Sequence, residues 1–129
     1  MVAVVDSGIN YDHELFTGKY DENGVAVDVD GIGEYDVLYR DSDGNLTGKN
    51  TVLASDKNYA STNFSVADDA PDKHGTHVAG IIATFIHELN LEKYVKIMPV
   101  KSAYPTSTSS TFSSTAFKDG VQFALENGA

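Results

Sequence analysis

The sequence has no cysteine, few basic side chains and no long apolar run. Without cysteine it has no disulfide scaffold, no thiolate zinc site and no cysteine nucleophile. No segment approaches the roughly 18 apolar residues of a membrane span, and no basic-then-apolar leader is read at its start. Only 9 Lys plus Arg stand against 19 Asp plus Glu. That balance repels phosphates and speaks against nucleic-acid binding through a basic face. What remains is ample for a packed core: 129 residues, 41% of them hydrophobic, which excludes global disorder.

The acidity is uneven. Residues 1–73 hold 15 acidic and 5 basic side chains, while residues 74–129 hold four of each. An excess confined to one part suits either a bound cation or a well-solvated surface.

Residues 2–5 (VAVV) form a short apolar run that stops at Asp6-Ser7-Gly8, which reads as a strand buried on both faces and ended by a turn. Residues 10–72 are polar and rich in glycine, Asp and Asn, and read as an elaborated insertion with its own small sheet. Short strands are expected there at 25–29, 35–39 and 51–54, paired as hairpins. From His74 onward, Val78, Ile81, Ile82, Phe85, Ile86 and Leu89 step by three and four, the spacing of an amphipathic helix. Gly75, Ala79, Gly80 and Ala83 make one side of that helix small enough to approach a sheet closely. Residues 94–101 (YVKIMPVK) alternate like a strand, with Pro99 weakening any central ladder. Residues 106–115 are Ser or Thr except for Phe112, and read either as a flexible polar loop or as part of a groove. A last helix carries Phe117, Val121, Ala124 and Leu125 on one stripe and stops at Asn127-Gly128. Strand, helix, strand, helix argues an α/β fold with a parallel sheet.

Two segments carry chemistry. VAVVDSGI sets the Asp6 carboxylate just past the end of a buried strand, the edge where parallel sheets build their sites. DKHGTHVAG sets the His74 imidazole at the start of a helix. If the two meet, the carboxylate accepts the Nδ1 proton, fixes the tautomer and stabilises the imidazolium formed when Nε2 takes a proton. Taken singly, each has a plainer reading: Asp6 as a turn or helix cap, His74 as a partly buried first residue of a helix.

The segment Val2-Ala3-Val4-Val5-Asp6-Ser7-Gly8-Ile9 resembles the aspartate motif of the subtilisin-like serine proteases, the subtilases. Lys73-His74-Gly75-Thr76-His77-Val78-Ala79-Gly80 resembles their histidine motif. Tyr11-Asp12-His13 and residues 95–129 follow the family's course more loosely. The resemblance implies a partial three-layer α/β fold of the peptidase S8 catalytic domain over residues 1–129, with 10–72 as an acidic insertion between the two motifs. It makes Asp6 the triad aspartate and His74 the general base, with His77 a structural neighbour. It also implies a polypeptide substrate and an extracellular setting. In the Ser/Thr run, residues 110–114 become the strand edge that pairs with an extended peptide. Ser110, Phe112 and Ser114 are then substrate-binding candidates, with Phe112 or Phe117 near a hydrophobic pocket.

The third triad member is absent. Subtilases carry the nucleophile in a downstream GTS motif, and the sequence has neither GTS nor GxSxG. The family's oxyanion asparagine is not reached either. The expectation is therefore a partial catalytic domain, under half of one, whose serine and oxyanion donor come from the remainder. Alone, the 129 residues are expected to show no endopeptidase activity and no labelling by serine-directed phosphonates. The contrasting function is a calcium-stabilised module that holds peptides without cutting them.

No cofactor is required for this chemistry, but structural calcium is an open question. Asp28-Val29-Asp30-Gly31 and Asp41-Ser42-Asp43-Gly44-Asn45 read either as calcium-binding oxygens or as Asp-Gly turns; the second lacks the glycine and glutamate of an EF-hand loop. The family often has an acidic ligand two residues after the histidine of the first segment; after His13 that position is Leu15. His74 and His77 lack the glutamate and the spacing of a HExxH zinc motif. Asn45-Leu46-Thr47 and Asn63-Phe64-Ser65 are glycosylation sequons.

Overall fold

The computed structural model describes residues 1–18, 35–52 and 65–129. Their elements run β1 (Val2–Asp6), α1 (Glu14–Thr17), β2 (Lys49–Asn50), α2 (His74–Glu88), β3 (Ile97–Lys101), β4 (Ala103–Pro105), β5 (Ser110–Phe112) and α3 (Ser114–Glu126). A parallel sheet has the order β1-β3-β2, with Val2 opposite Ile97 and Asp6 opposite Lys101. β4 and β5 form a separate antiparallel pair. The expected α/β class with a parallel sheet is the one adopted.

β1 is apolar because helices cover both of its faces. Val4 belongs to the core cluster with Ala79, Ala83 and Ile86 of α2. Val5 points to the opposite face, since side chains alternate along a strand. There a β-carbon on Gly120 of α3 would come within 3.0 Å of Val5 Cγ1 and 2.2 Å of Ser102 Oγ. The absence of that carbon lets α3 lie directly on the sheet, so helix, sheet and helix form three layers.

Both long helices turn their small sides inward. α2 buries Gly75, Ala79, Ala83 and Ile86, and α3 buries Ala116, Gly120 and Ala124. Val78 and Ile82 of the α2 stripe also pack against the core, while the rest of the large apolar residues point the other way. Ile81 and Phe85 of α2, Leu89 just past its end, and Phe117, Val121 and Leu125 of α3 are exposed, Phe85 to 60% and Leu125 to 67%.

Pro99 sits in the central strand, which corrects the expectation that it would weaken such a ladder. Ile97 donates to the Val37 carbonyl and accepts from Tyr39 N–H, and the Lys101 carbonyl accepts from Thr51 N–H. Odd-numbered residues of β3 therefore turn their backbone groups away from β1. The N–H that proline lacks falls between the Leu38 bridge and the start of β2, and no bond to β1 is lost.

The insertion also differs from expectation. Residues 35–39 make no regular strand: Leu38 forms a parallel bridge to Ile97, and the hairpin pairing is confined to their end, where the Tyr39 carbonyl accepts from Thr47 N–H and Arg40 bridges Leu46. Of the expected strand at 51–54, residues 53–54 lie outside the described residues; the strand found nearby is β2 at Lys49–Asn50, and Thr51 and Val52 are not part of it. The expected strand at 25–29 lies outside the described residues. What ties 35–40 down is polar: the buried Asp36 carboxylate accepts from Leu38 N–H and pairs with the Arg40 guanidinium at 3.0 Å. At the far end of α2, His87 engages Glu92 Oε1 through Nδ1 and the Leu15 carbonyl through Nε2, each at 2.8 Å, and so clasps α1 to α2. That hydrogen bond holds the Glu92 carboxyl below its ordinary pKa. Among the described residues no helix is long and apolar enough to cross a membrane.

Candidate active site

β1 carries Asp6 to the carboxyl end of the parallel sheet, and the chain then turns away sharply. The turn needs glycine at position 8, where φ is 107° and a β-carbon would lie 2.4 Å from the Val66 carbonyl oxygen. The Asp6 carbonyl accepts from Ser102 N–H at 2.8 Å, which extends the β1–β3 pairing one step beyond the strands.

α2 begins at His74 without an ordinary cap. Lys73, in the cap position, is left-handed (φ 50°) and makes no side-chain capping bond. The unpaired N–H groups of the first turn find acceptors from other segments. Gly75 N–H donates to Ser7 Oγ at 2.8 Å, and Thr76 N–H donates to Asp68 Oδ2 at 2.9 Å. Position 75 has no room for a side chain, because a β-carbon would sit 2.2 Å from the Gly8 carbonyl oxygen. The two motifs thus interlock through backbone contact, and their reactive side chains meet as a consequence.

His74 Nδ1 lies 2.9 Å from Asp6 Oδ1 and 3.0 Å from Oδ2. Asp6 Oδ1 also accepts from Ser7 N–H at 2.7 Å. The carboxylate is largely enclosed (side chain 11% exposed), while the imidazole is 56% exposed. A carboxylate can only accept here, so Nδ1 carries the proton and Nε2 is the basic nitrogen. The hydrogen bond from Asp6, followed by its charge, raises the pKa of His74 above the ordinary value. Asp72 and Asp68 act in the same direction, and desolvation opposes them. A helix N-terminus disfavours a cation, but a carboxylate at 3 Å outweighs it.

A raised histidine pKa means that folding favours the protonated form. The pair's contribution to stability is then full below the unfolded-state value, about 6.5, and fades as pH rises through the folded value. Urea midpoints of the wild type and His74→Ala should differ most in mild acid and converge in alkali; a gap that widens with pH contradicts the assignment.

Ser110 and Phe112 lie on β5, and Ser114 is the first residue of α3. The strand edge is shorter than the 110–114 expected, because Ser113 turns the chain by capping α3 through Ala116 N–H. Phe112 meets Phe117 edge-on at 5.7 Å, and Phe117 lines a shallow apolar depression of about 460 Å³ with Val121 and Leu125. His77 is exposed on α2, where it lines a separate groove with His13, Leu15 and Ile81.

No three acidic or histidine side chains among the described residues converge as a metal site would require. Asp41 Oδ1 accepts from the N–H groups of Asp43 and Asn45, both at 2.9 Å, and the Arg40 guanidinium holds the Gly44 carbonyl. This is an Asp-Gly turn, and the bonds from Asn45 keep the Asp41 carboxyl below its usual pKa. Asp28–Gly31 and Asn63 lie outside the described residues.

Asp68 and Lys101 were not legible as site residues from the sequence. Asp68 is lost among the many Asp of the insertion, and Lys101 reads as the polar end of a strand. Lys101 is in fact buried, 2% exposed, and its Nζ donates to the Ala67 carbonyl at 2.8 Å and pairs with Asp69. One signal did exist for Asp68: a lysine ahead of the helix leaves its N–H groups in need of an acceptor from elsewhere.

The family model described as the subtilase family matches residues 1–129, the whole chain. No curated protein matches, and no solved structure matches.

Proposed function

The chain belongs to the subtilase family of serine proteases, and on that premise we propose that Asp6 and His74 are the carboxylate and general base of an Asp-His-Ser triad. The carrying observation is the contact of both Asp6 oxygens with His74 Nδ1, which leaves Nε2 as the basic atom on a half-open imidazole. In this reading Nε2 takes the proton of a serine hydroxyl as its oxygen attacks the peptide carbonyl. The same proton then goes to the leaving amine as the acyl-enzyme forms. Water repeats the cycle and frees the acid. Asp6 stays ionised throughout and stabilises the imidazolium.

The nucleophile and the oxyanion asparagine are assigned to protein outside these 129 residues. Several serines within the sequence already have structural work. Ser102 is buried with its hydroxyl 2.7 Å from that of Thr51, Ser7 takes Gly75 N–H, and Ser113 caps α3. The outward apolar faces of α2 and α3 suit packing against further protein, since contiguous patches of this kind mark interaction sites. β5 pairs with β4 along one side. Its other side is the edge to which an extended polypeptide would add, with Ser110 on the strand and Phe112 and Phe117 beside it. An extracellular destination follows the habit of the family.

The test is made on the complete protein. Cleavage of an unstructured polypeptide, with a covalent serine intermediate, is expected. Peptide bound but left intact identifies a binding module instead.

A further inference from the structure

We propose that Asp68 is a positioning residue for the base: by capping α2 from outside the helix, it sets where the helix starts and so how His74 meets Asp6. The proposal rests on reading His74 as the general base.

Asp68 is buried, and its bonds reach both reactive segments. Oδ2 accepts from Thr76 N–H at 2.9 Å and from Thr76 Oγ1 at 2.6 Å, and Oδ1 accepts from Ala70 N–H at 3.3 Å. With its hydroxyl proton given to Asp68, Thr76 Oγ1 accepts from Asn10 N–H at 3.0 Å. The Asp68 backbone faces the other segment: its N–H donates to the Ile9 carbonyl, and Ile9 N–H donates to Val66. Asp68 therefore stands between the turn that follows Asp6 and the helix turn that begins with His74.

The segment that bears Asp68 is itself held at two points. Lys101, opposite Asp6 in the sheet, grips Ala67 and Asp69. Lys73 Nζ donates to the Asp68 carbonyl at 2.6 Å.

An ordinary cap residue lies immediately before the helix and fixes its start locally. Here that position holds a left-handed lysine without a capping bond. The start of α2 depends on a carboxylate six residues upstream, and a change at residue 68 is transmitted to residue 74. Base and nucleophile tolerate little displacement: about 1 Å can cost on the order of 10²-fold in rate.

The experiment follows the His74 Nδ1–H proton by NMR in the full chain. In the wild type a low-field resonance from the bond to Asp6 is expected. Asp68→Ala should weaken or abolish it, and Asp68→Asn, which keeps one acceptor oxygen for Thr76, should restore most of it. Asp6, Asp68 and Asp72 all face His74 and Lys73 adjoins it, so loss of the Asp68 charge alone moves the titration midpoint in both variants. The resonance is therefore the deciding signal.

In active complete protein, Asp68→Ala should lower kcat ~10²-fold with KM little changed, and Asp68→Asn should recover most of the loss. A folded Asp68→Ala protein with an unchanged resonance overturns the proposal. If that variant does not fold, Asp68→Glu, which keeps the charge but displaces the acceptor from Thr76 N–H, decides on the same resonance: weakening supports the proposal and no change overturns it. Wild-type protein that shows the resonance but cleaves nothing refutes the triad reading, while the positioning result still stands or falls on its own signal.

Discussion

Replacing His74 by alanine in the complete protein should lower kcat by ~10⁶-fold, the size of loss found when the base of a Ser-His-Asp triad is removed. The magnitude follows from the geometry. A serine hydroxyl is a poor nucleophile at neutral pH until a base within hydrogen-bond reach takes its proton. His77 cannot replace the missing base, because it lies one helical turn away on an exposed face and Asp6 bonds to His74. KM should change little, since His74 makes no part of the β5 edge. Steady-state kinetics on a chromogenic peptide measures the effect, and a loss of less than about tenfold removes His74 from the chemistry.

Asp6→Asn should cost ~10⁴-fold in kcat, less than the loss of the base yet far more than one surface hydrogen bond. The variant keeps the size of the side chain and loses its charge. Two effects then add. The amide can present its NH₂ group to Nδ1, which favours the tautomer with its proton on Nε2 and removes the basic atom from the reaction. The imidazolium also loses its counter-charge. Asp6 is the first cause of the raised His74 pKa, so the pH–rate midpoint should fall toward the ordinary histidine value of about 6.5. The base must be neutral to act, so in the wild type kcat/KM rises with pH through a midpoint above that value. A variant with an unchanged midpoint contradicts the pairing.

The two motifs were readable because their requirements are local. Asp6 follows an apolar strand, and Gly8 and Gly75 stand where backbone meets backbone with no space for a β-carbon. The parallel α/β class came from the same kind of pattern. The hidden features depend on distant partners. The role of Asp68 is set by an N–H on a helix it does not belong to, and its neighbours in sequence are equally acidic. Pro99 can occupy a central strand only because the next strand starts late, a matter of register that no single segment encodes. Ser114 reads as part of a polar strand until Ser113 is seen to cap a helix. The small residues of α2 told correctly which side approaches the sheet, but the stripe did not show how it divides: Val78, Ile82 and Ile86 join the core, while Ile81 and Phe85 are left outward.

The central claim is that the Asp6–His74 pair activates a serine lying outside these 129 residues. Labelling of the complete protein by a serine-directed phosphonate, followed across pH and located by peptide mass mapping, tests it most directly. The account predicts a single adduct on a serine beyond residue 129, formed at a rate that rises through the raised His74 pKa and is lost in His74→Ala. An adduct on any serine within residues 102–114, or labelling that persists in His74→Ala, contradicts it.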